Sequence, residues 1–117
     1  MVSEMVHSAA ADEVFHALAN PTRRKVLERL SLGAASVSEL AAPFDMQLPS
    51  FVQHLAVLEQ SRLVRSHKRG RVRTYEIALE RFKVVEDWLT ARRRSWEARL
   101  DQFDQYVKEL KETESKS

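Results

Sequence analysis

There is no cysteine in the 117 residues, and that one absence removes disulfides, thiolate zinc sites and cysteine nucleophiles together. It also fits a reducing compartment. Glycine and proline are scarce. Two glycines and three prolines are few for a many-turned β fold and favour long helices. No stretch approaches the roughly 20 apolar residues that a membrane span requires. The opening MVSEMVHSAAADEVF has neither a basic start nor an apolar run, so no signal peptide is expected. The expected location is the cytoplasm. Catalytic groupings are missing too. No pair of carboxylates, no Ser/His/Asp set and no Gly-rich phosphate loop can be assembled, so no enzyme is expected. The length suits one domain with one modest core.

What the sequence does have is a stretch with two unlike faces, QLPSFVQHLAVLEQ, from Gln47 to Gln60. On a helix, Leu48, Phe51, Val52, Leu55 and Leu58 fall at 3- and 4-residue spacings as an apolar stripe. Gln47, Ser50, Gln53 and His54 share another side. Those groups both donate and accept hydrogen bonds yet carry almost no formal charge. A solvated helix face would carry Lys and Glu instead. Amide, hydroxyl and imidazole groups suit base-pair edges, which offer mixed donors and acceptors. The alternative is a surface helix that happens to lack charge, and the neighbouring segments decide between the two.

Residues 1–8 read as a loose arm. From Asp12, a possible N-cap, DEVFHALA places Val14, Phe15 and Leu18 on one face of a short helix ending near Asn20. Asn20-Pro21 then restarts a helix, a capping Asn followed by Pro at the first position. That helix runs to Leu32 with Val26, Leu27 and Leu30 inward, and Gly33 closes it. Arg23, Arg24 and Lys25 lie in its first turn, where cations oppose the helix dipole by a few tenths of a kcal/mol each. A phosphate beside Arg23 would offset that; a solvated cationic turn is the other reading. Ser36-Val37-Ser38-Glu39 has capping-box spacing. It opens a short helix to about Pro43 that buries Val37 and Leu40. Two short helices joined by a tight turn make a helix-turn-helix.

After Gln60 the period changes to that of strands. Leu63–Lys68 and Val72–Ala78 flank Arg69-Gly70-Arg71, a hairpin with Gly available for positive φ. Tyr75 and Ile77 share its inner face. Six cations and His67 fall between Arg62 and Arg73 with no acid among them. Lys68, Arg69, Arg71 and Arg73 crowd the tip, where a wing that touches DNA phosphates needs them. The competing reading is charges that merely blunt an edge strand.

From Leu79 to about Glu112 one helix contains neither Gly nor Pro. Its apolar residues are Phe82, Val85, Leu89, Trp96, Leu100, Phe103, Val107 and Leu110. From Trp96 the spacing alternates 4, 3, 4, 3, a heptad-like seam. Such a helix, roughly 50 Å long, is more than this domain can cover, so a second copy is the simplest partner. Arg92, Arg93 and Arg94 interrupt the seam.

Taken together, ALANPTRRKVLERL, the helix pair through QLPSFVQHLAVLEQSRLV, and KRGRVRTYEI resemble the ArsR family of bacterial winged helix-turn-helix repressors. The continuation DWLTARRRSWEARLDQFDQYV looks like the subfamily often encoded beside SRPBCC-type small-ligand proteins. The resemblance covers residues 12–78. The segments and the resemblance together give a mainly α fold in one domain: a winged helix-turn-helix core (12–78) with a two-stranded β wing and a long C-terminal dimerisation helix (79–112), while the terminal residues 113–117 are expected to be a disordered tail. The resemblance also implies a homodimer with each recognition helix in a major groove of a palindromic operator in double-stranded DNA. By position, Gln47, Ser50, Gln53 and His54 would read bases, and Arg23 and the wing cations would hold the backbone. Phe82, Val85, Leu89, Trp96, Leu100, Phe103 and Val107 would form the dimer contact. Leu48 and Val52 stand where many relatives have polar residues, and Leu48 could touch a thymine methyl group.

Many relatives sense metals through cysteines before the recognition helix or through His and carboxylate clusters on terminal helices. Here SVSELAA has no Cys, the terminal helix has no His, and His7, His16, His54 and His67 are scattered without i, i+4 pairing. Neither a metal nor another cofactor is expected, and the signal is left to an unidentified small-molecule or protein effector. Trp88, Trp96 and Phe103 could line a small-molecule pocket or simply pack. The alternative function is a protein-interaction module that uses the fold without DNA.

Overall fold

The computed structural model describes residues 2–116, with the side chains of residues 9–115. Met1, Ser117 and the side chain of His7 lie outside these. In chain order the elements are α1 (Val2–Leu18), α2 (Pro21–Leu30), β1 (Ala35–Ser36), α3 (Val37–Ala41), α4 (Leu48–Gln60), β2 (Val64–Arg69), β3 (Val72–Ile77) and α5 (Glu80–Lys116). They form two compact units, Met1–Val85 and Glu86–Ser117. No helix among the described residues is long and apolar enough to cross a membrane.

Local signals set most boundaries in the first unit. The Asn20 side chain accepts from the Arg23 backbone N–H at 3.2 Å and caps α2. Ser36 and Glu39 form both hydrogen bonds of the capping box on α3. α4 opens at Gln47 with Pro49 in its first turn. β2 and β3 pair from Val64↔Ile77 to Arg69↔Val72, which leaves Gly70 and Arg71 as a two-residue loop. Gly70 has φ 59° while Arg71 stays at negative φ, the arrangement of a type II′ turn whose twist suits a hairpin.

Three expectations are corrected. First, α1 begins at Val2 rather than Asp12, so residues 2–8 are not a loose arm. Asp12 is an exposed mid-helix residue, because Ser8-Ala9-Ala10-Ala11 offers no stop signal and alanine is the best helix former. The buried face of α1 is Ala10, Ala11, Val14 and Ala17, while Phe15 is exposed. Second, the sheet has three strands in the order β1-β3-β2, with Ala35↔Tyr75 and Ser36↔Thr74 adding β1 to the wing. Third, α5 continues through Lys116, past the expected end at Glu112, and the Thr113 hydroxyl donates to the Glu109 carbonyl within it. The expected disordered tail is therefore helical as far as it is described.

The core gathers Val14, Ala17, Val26, Leu27, Leu30, Ala35, Leu40, Phe51, Leu55, Leu58, Leu63, Val64, Tyr75 and Val85. Phe44 closes one side, its ring 5.3 Å from that of Phe51. Val85 is only 7% exposed, and Phe82 is half-buried against the same cluster. Both were expected in the dimer seam. The start of α5 instead spends them on the core of its own unit, which anchors the helix there by about 1.5–3 kcal/mol per fully buried side chain.

In the second unit the helix leaves Leu89, Trp96, Leu100, Phe103, Tyr106 and Leu110 exposed, with Val107 half-buried. Arg92 stacks over Trp88 at 5.5 Å and Arg93 pairs with Glu97 at 3.1 Å. Two of the three arginines that interrupt the seam, Arg92 and Arg93, are thus engaged along their own helix.

Candidate nucleic-acid interface

α3 and β2 both pack on α4, so the helix and the wing belong to one packed unit. Phe51, Leu55 and Leu58 point into the core and fix the rotation of α4. Among the outward residues of its first half are Gln47, Leu48, Ser50, Val52 and Gln53, all exposed. The Gln47 side chain makes no capping bond although the residue holds the cap position, so its amide stays available.

Leu48 and Val52 do not belong to the buried stripe. They are 54% and 43% exposed. Val52 follows Phe51 directly, and adjacent residues lie about 100° apart on a helix. Both cannot centre the same face. These five residues therefore make a mixed surface, two amides and a hydroxyl beside two aliphatic groups. Such a surface can hydrogen-bond base edges and touch thymine methyls together. The 3- and 4-residue spacing puts Leu48 and Val52 in the buried stripe, whereas their match to polar positions of relatives puts them outward; the angular step from Phe51 is the signal that decides for Val52 outward.

His54 lies at the edge of this surface, half-buried, and is held. Its Nδ1 is 3.1 Å from an Arg23 guanidinium nitrogen. Arg23 itself is 8% exposed. Its Nε donates to the Ala17 carbonyl at 2.7 Å and another guanidinium nitrogen to the His16 carbonyl at 2.9 Å. Arg24 donates to the Leu18 carbonyl at 2.8 Å. These are the orphan carbonyls at the C-terminal, negative end of α1. The expectation of a phosphate beside Arg23 is thus corrected: α1 supplies the compensating charge, and the buried guanidinium has no free face for DNA. Burial first, and the Arg23 charge second, hold the His54 pKa below its ordinary 6.5.

Lys68, Arg69 and Arg71 stand exposed at the wing tip, with Val72 exposed among them. Arg73 is exposed but engaged: it donates to the Ser66 hydroxyl at 2.9 Å, and Ser66 donates to the Glu59 carboxylate at 2.7 Å. Lys68 and Arg73 sit directly opposite each other in the ladder, where like charges repel. At the base of the wing Arg65 meets Glu76 and Glu80 at 3.4 and 3.3 Å. Acids therefore balance the base of the wing and leave the tip wholly cationic. Among the described residues no three His, Asp or Glu side chains converge as metal donors.

A family profile described as a helix-turn-helix domain matches residues 18–67. The transcriptional repressor SdpR of Bacillus subtilis is 33% identical over 78 residues, 67% of this chain and 87% of the relative. The HTH-type transcriptional regulator Rv2034 of Mycobacterium tuberculosis is 41% identical over 66 residues, 56% of this chain and 62% of that protein. A crystal structure of an ArsR family transcriptional regulator superposes with a TM-score of 0.75 at 54% identity, covering 77% of this chain and 93% of that one. Helix pair, wing and relatives agree, and the chain belongs to the ArsR family of DNA-binding helix-turn-helix transcriptional regulators.

Proposed function

We propose that this protein is a homodimeric repressor of a palindromic operator. Gln47, Ser50 and Gln53 read base edges in the major groove, with His54 at their margin and Leu48 and Val52 against thymine methyls. Lys68, Arg69 and Arg71 hold phosphates or enter the minor groove, and Arg73 braces the wing they stand on. The observation that carries this reading is the pairing of an uncharged, donor-and-acceptor helix face with an acid-free cationic hairpin tip on one packed unit. The name of SdpR supports repression. The exposed Leu89–Leu110 stripe supports self-association. The lack of cysteine supports a releasing signal other than a thiolate-bound metal.

Fluorescence anisotropy on duplexes from upstream of the protein's own gene tests the assignment. Arg71→Ala should weaken binding to every sequence and reduce the slope of log affinity against log salt by about 1. Gln53→Ala should lose about 1–3 kcal/mol on the preferred duplex and little on random DNA. If both variants acted alike on all sequences, the roles would be wrongly assigned. If the wild type ignored every duplex at low salt and ran as a monomer in light scattering, a protein-interaction module would replace this reading.

A further inference from the structure

The contact between Arg23 and His54 fixes a chemical property of the α4 surface that the residue types alone leave open. A neutral imidazole carries its proton on either ring nitrogen, and solvent exchanges the two forms. A guanidinium has five donors and no acceptor, and it does not deprotonate. The Arg23 nitrogen 3.1 Å from His54 Nδ1 must therefore donate, and Nδ1 must accept. The guanidinium cannot swing away cheaply. It is 8% exposed and bound to the carbonyls of Ala17 and His16. His54 thus keeps its proton on Nε2. No described group accepts from Nε2, yet the atom is not among the sealed, unpartnered polar atoms of the interior. It therefore reaches solvent, on a side chain that follows Gln53 directly and lies one helical turn after Ser50.

We propose that Arg23 is a positioning residue which locks His54 as an outward Nε2–H donor, so that His54 selects a hydrogen-bond acceptor on the operator and rejects a donor. This rests on the DNA-binding reading above. Among major-groove edges, guanine offers two acceptors, N7 and O6, and no donor of its own. Cytosine presents its amino group and is the edge refused. An unlocked histidine could turn either nitrogen outward and would discriminate less. The same donor could instead meet a phosphate oxygen, which would position the helix without reading sequence.

Two measurements test the proposal. In the DNA-free wild type, nitrogen-15 NMR of the imidazole, assigned with His54→Gln, should find the proton on Nε2 alone. Arg23→Lys should keep that form, because ammonium also only donates. A proton on Nδ1, or an exchanging mixture in the wild type, overturns the lock without any reference to DNA. The second arm enriches duplexes from a randomised pool with wild type and with His54→Ala. Wild type should favour guanine at one position per half-site by about fivefold or more, and 7-deazaguanine there should reduce the preference. His54→Ala should lose the preference at that position and keep the others. An enriched sequence with no His54-dependent position, or a His54→Ala loss spread evenly over all duplexes as a phosphate contact would give, overturns the selectivity alone. Failure to enrich any sequence overturns the DNA-binding reading together with the selectivity, and leaves the NMR result to stand or fall by itself.

Discussion

Arg62 has φ 62°, alone among the described non-glycine residues in the left-handed region. The Leu63 N–H bonds to the Leu58 carbonyl and the Arg62 N–H to that of Glu59, so Arg62 takes the position after the α4 C-cap where glycine is usual. A side chain there costs about 1–2 kcal/mol, partly offset by the greater unfolded freedom of glycine. Arg62→Gly should therefore stabilise the protein by about 0.5–1 kcal/mol, read as a higher urea midpoint at constant slope. A lower midpoint would mean that the arginine makes interactions worth more than the strain. His54 gives a pH signature. Its folded pKa lies below 6.5 because burial, then Arg23, disfavours the cation. Between the folded and unfolded values the unfolded chain binds more protons, so stability rises with pH there. The contribution is complete above about 6.5 and is lost as pH falls from that value towards the folded pKa. His54→Gln should flatten the wild-type decline in melting temperature on acidification; an unchanged decline would assign it to other groups.

The wing is where a local conflict is most visible. Lys68 opposes Arg73 across the ladder, a pairing that destabilises a hairpin by a few tenths of a kcal/mol. Arg73 is partly relieved through Ser66 and Glu59, and Lys68 is not a party to any such contact. Lys68→Thr should thus raise the melting temperature of the free protein slightly. It should also lower DNA affinity and take about 1 off the salt slope. Gain in both properties would argue against a phosphate role for Lys68. The same scale explains what the sequence made legible. Asn20-Pro21, Ser36-x-x-Glu39 and the Gly70 turn are complete within four residues, so they could be read directly and they formed as expected. β1 could not be read: two residues have no periodicity, and Ala35-Ser36 becomes a strand only because Tyr75 and Thr74 lie opposite. The direction of Arg23 was hidden for a similar reason. Its partners lie 6, 7 and 31 residues away, and only the packing of α1 and of α4 against α2 sets the α1 carbonyls and the His54 ring around the guanidinium. The rotation of α4 was legible to within one residue on each side, which placed Phe51, Leu55 and Leu58 inward but left Leu48 and Val52 on the wrong face.

At the scale of the whole molecule, a net charge of +2 is too small to hold a polyanion unless the charge is concentrated, as it is between Arg62 and Arg73. On the proposed palindromic operator, one wing and one helix would cover only a single half-site. Two half-sites on one duplex convert the second binding event into an intramolecular one, which raises apparent affinity by about 10²- to 10⁴-fold without any new type of contact. The proposed dimer would join through the exposed line of Leu89, Trp96, Leu100, Phe103 and Leu110, because Phe82 and Val85 already serve the core. Large aromatic and aliphatic groups at 3- and 4-residue spacing are what a helical seam buries at its centre. Leu100→Asp combined with Phe103→Asp would place four carboxylates in a symmetric seam. The wild type should run as a dimer in light scattering and the double variant as a monomer. The melting of Met1–Val85 should be little changed, since neither substitution touches its core. Operator affinity should fall by about 100-fold or more, while affinity for random DNA falls far less because each wing keeps its cations. A double variant that stays dimeric would place the joining surface elsewhere on the chain. A monomer that binds its operator as tightly as the wild type would instead remove the need for two copies.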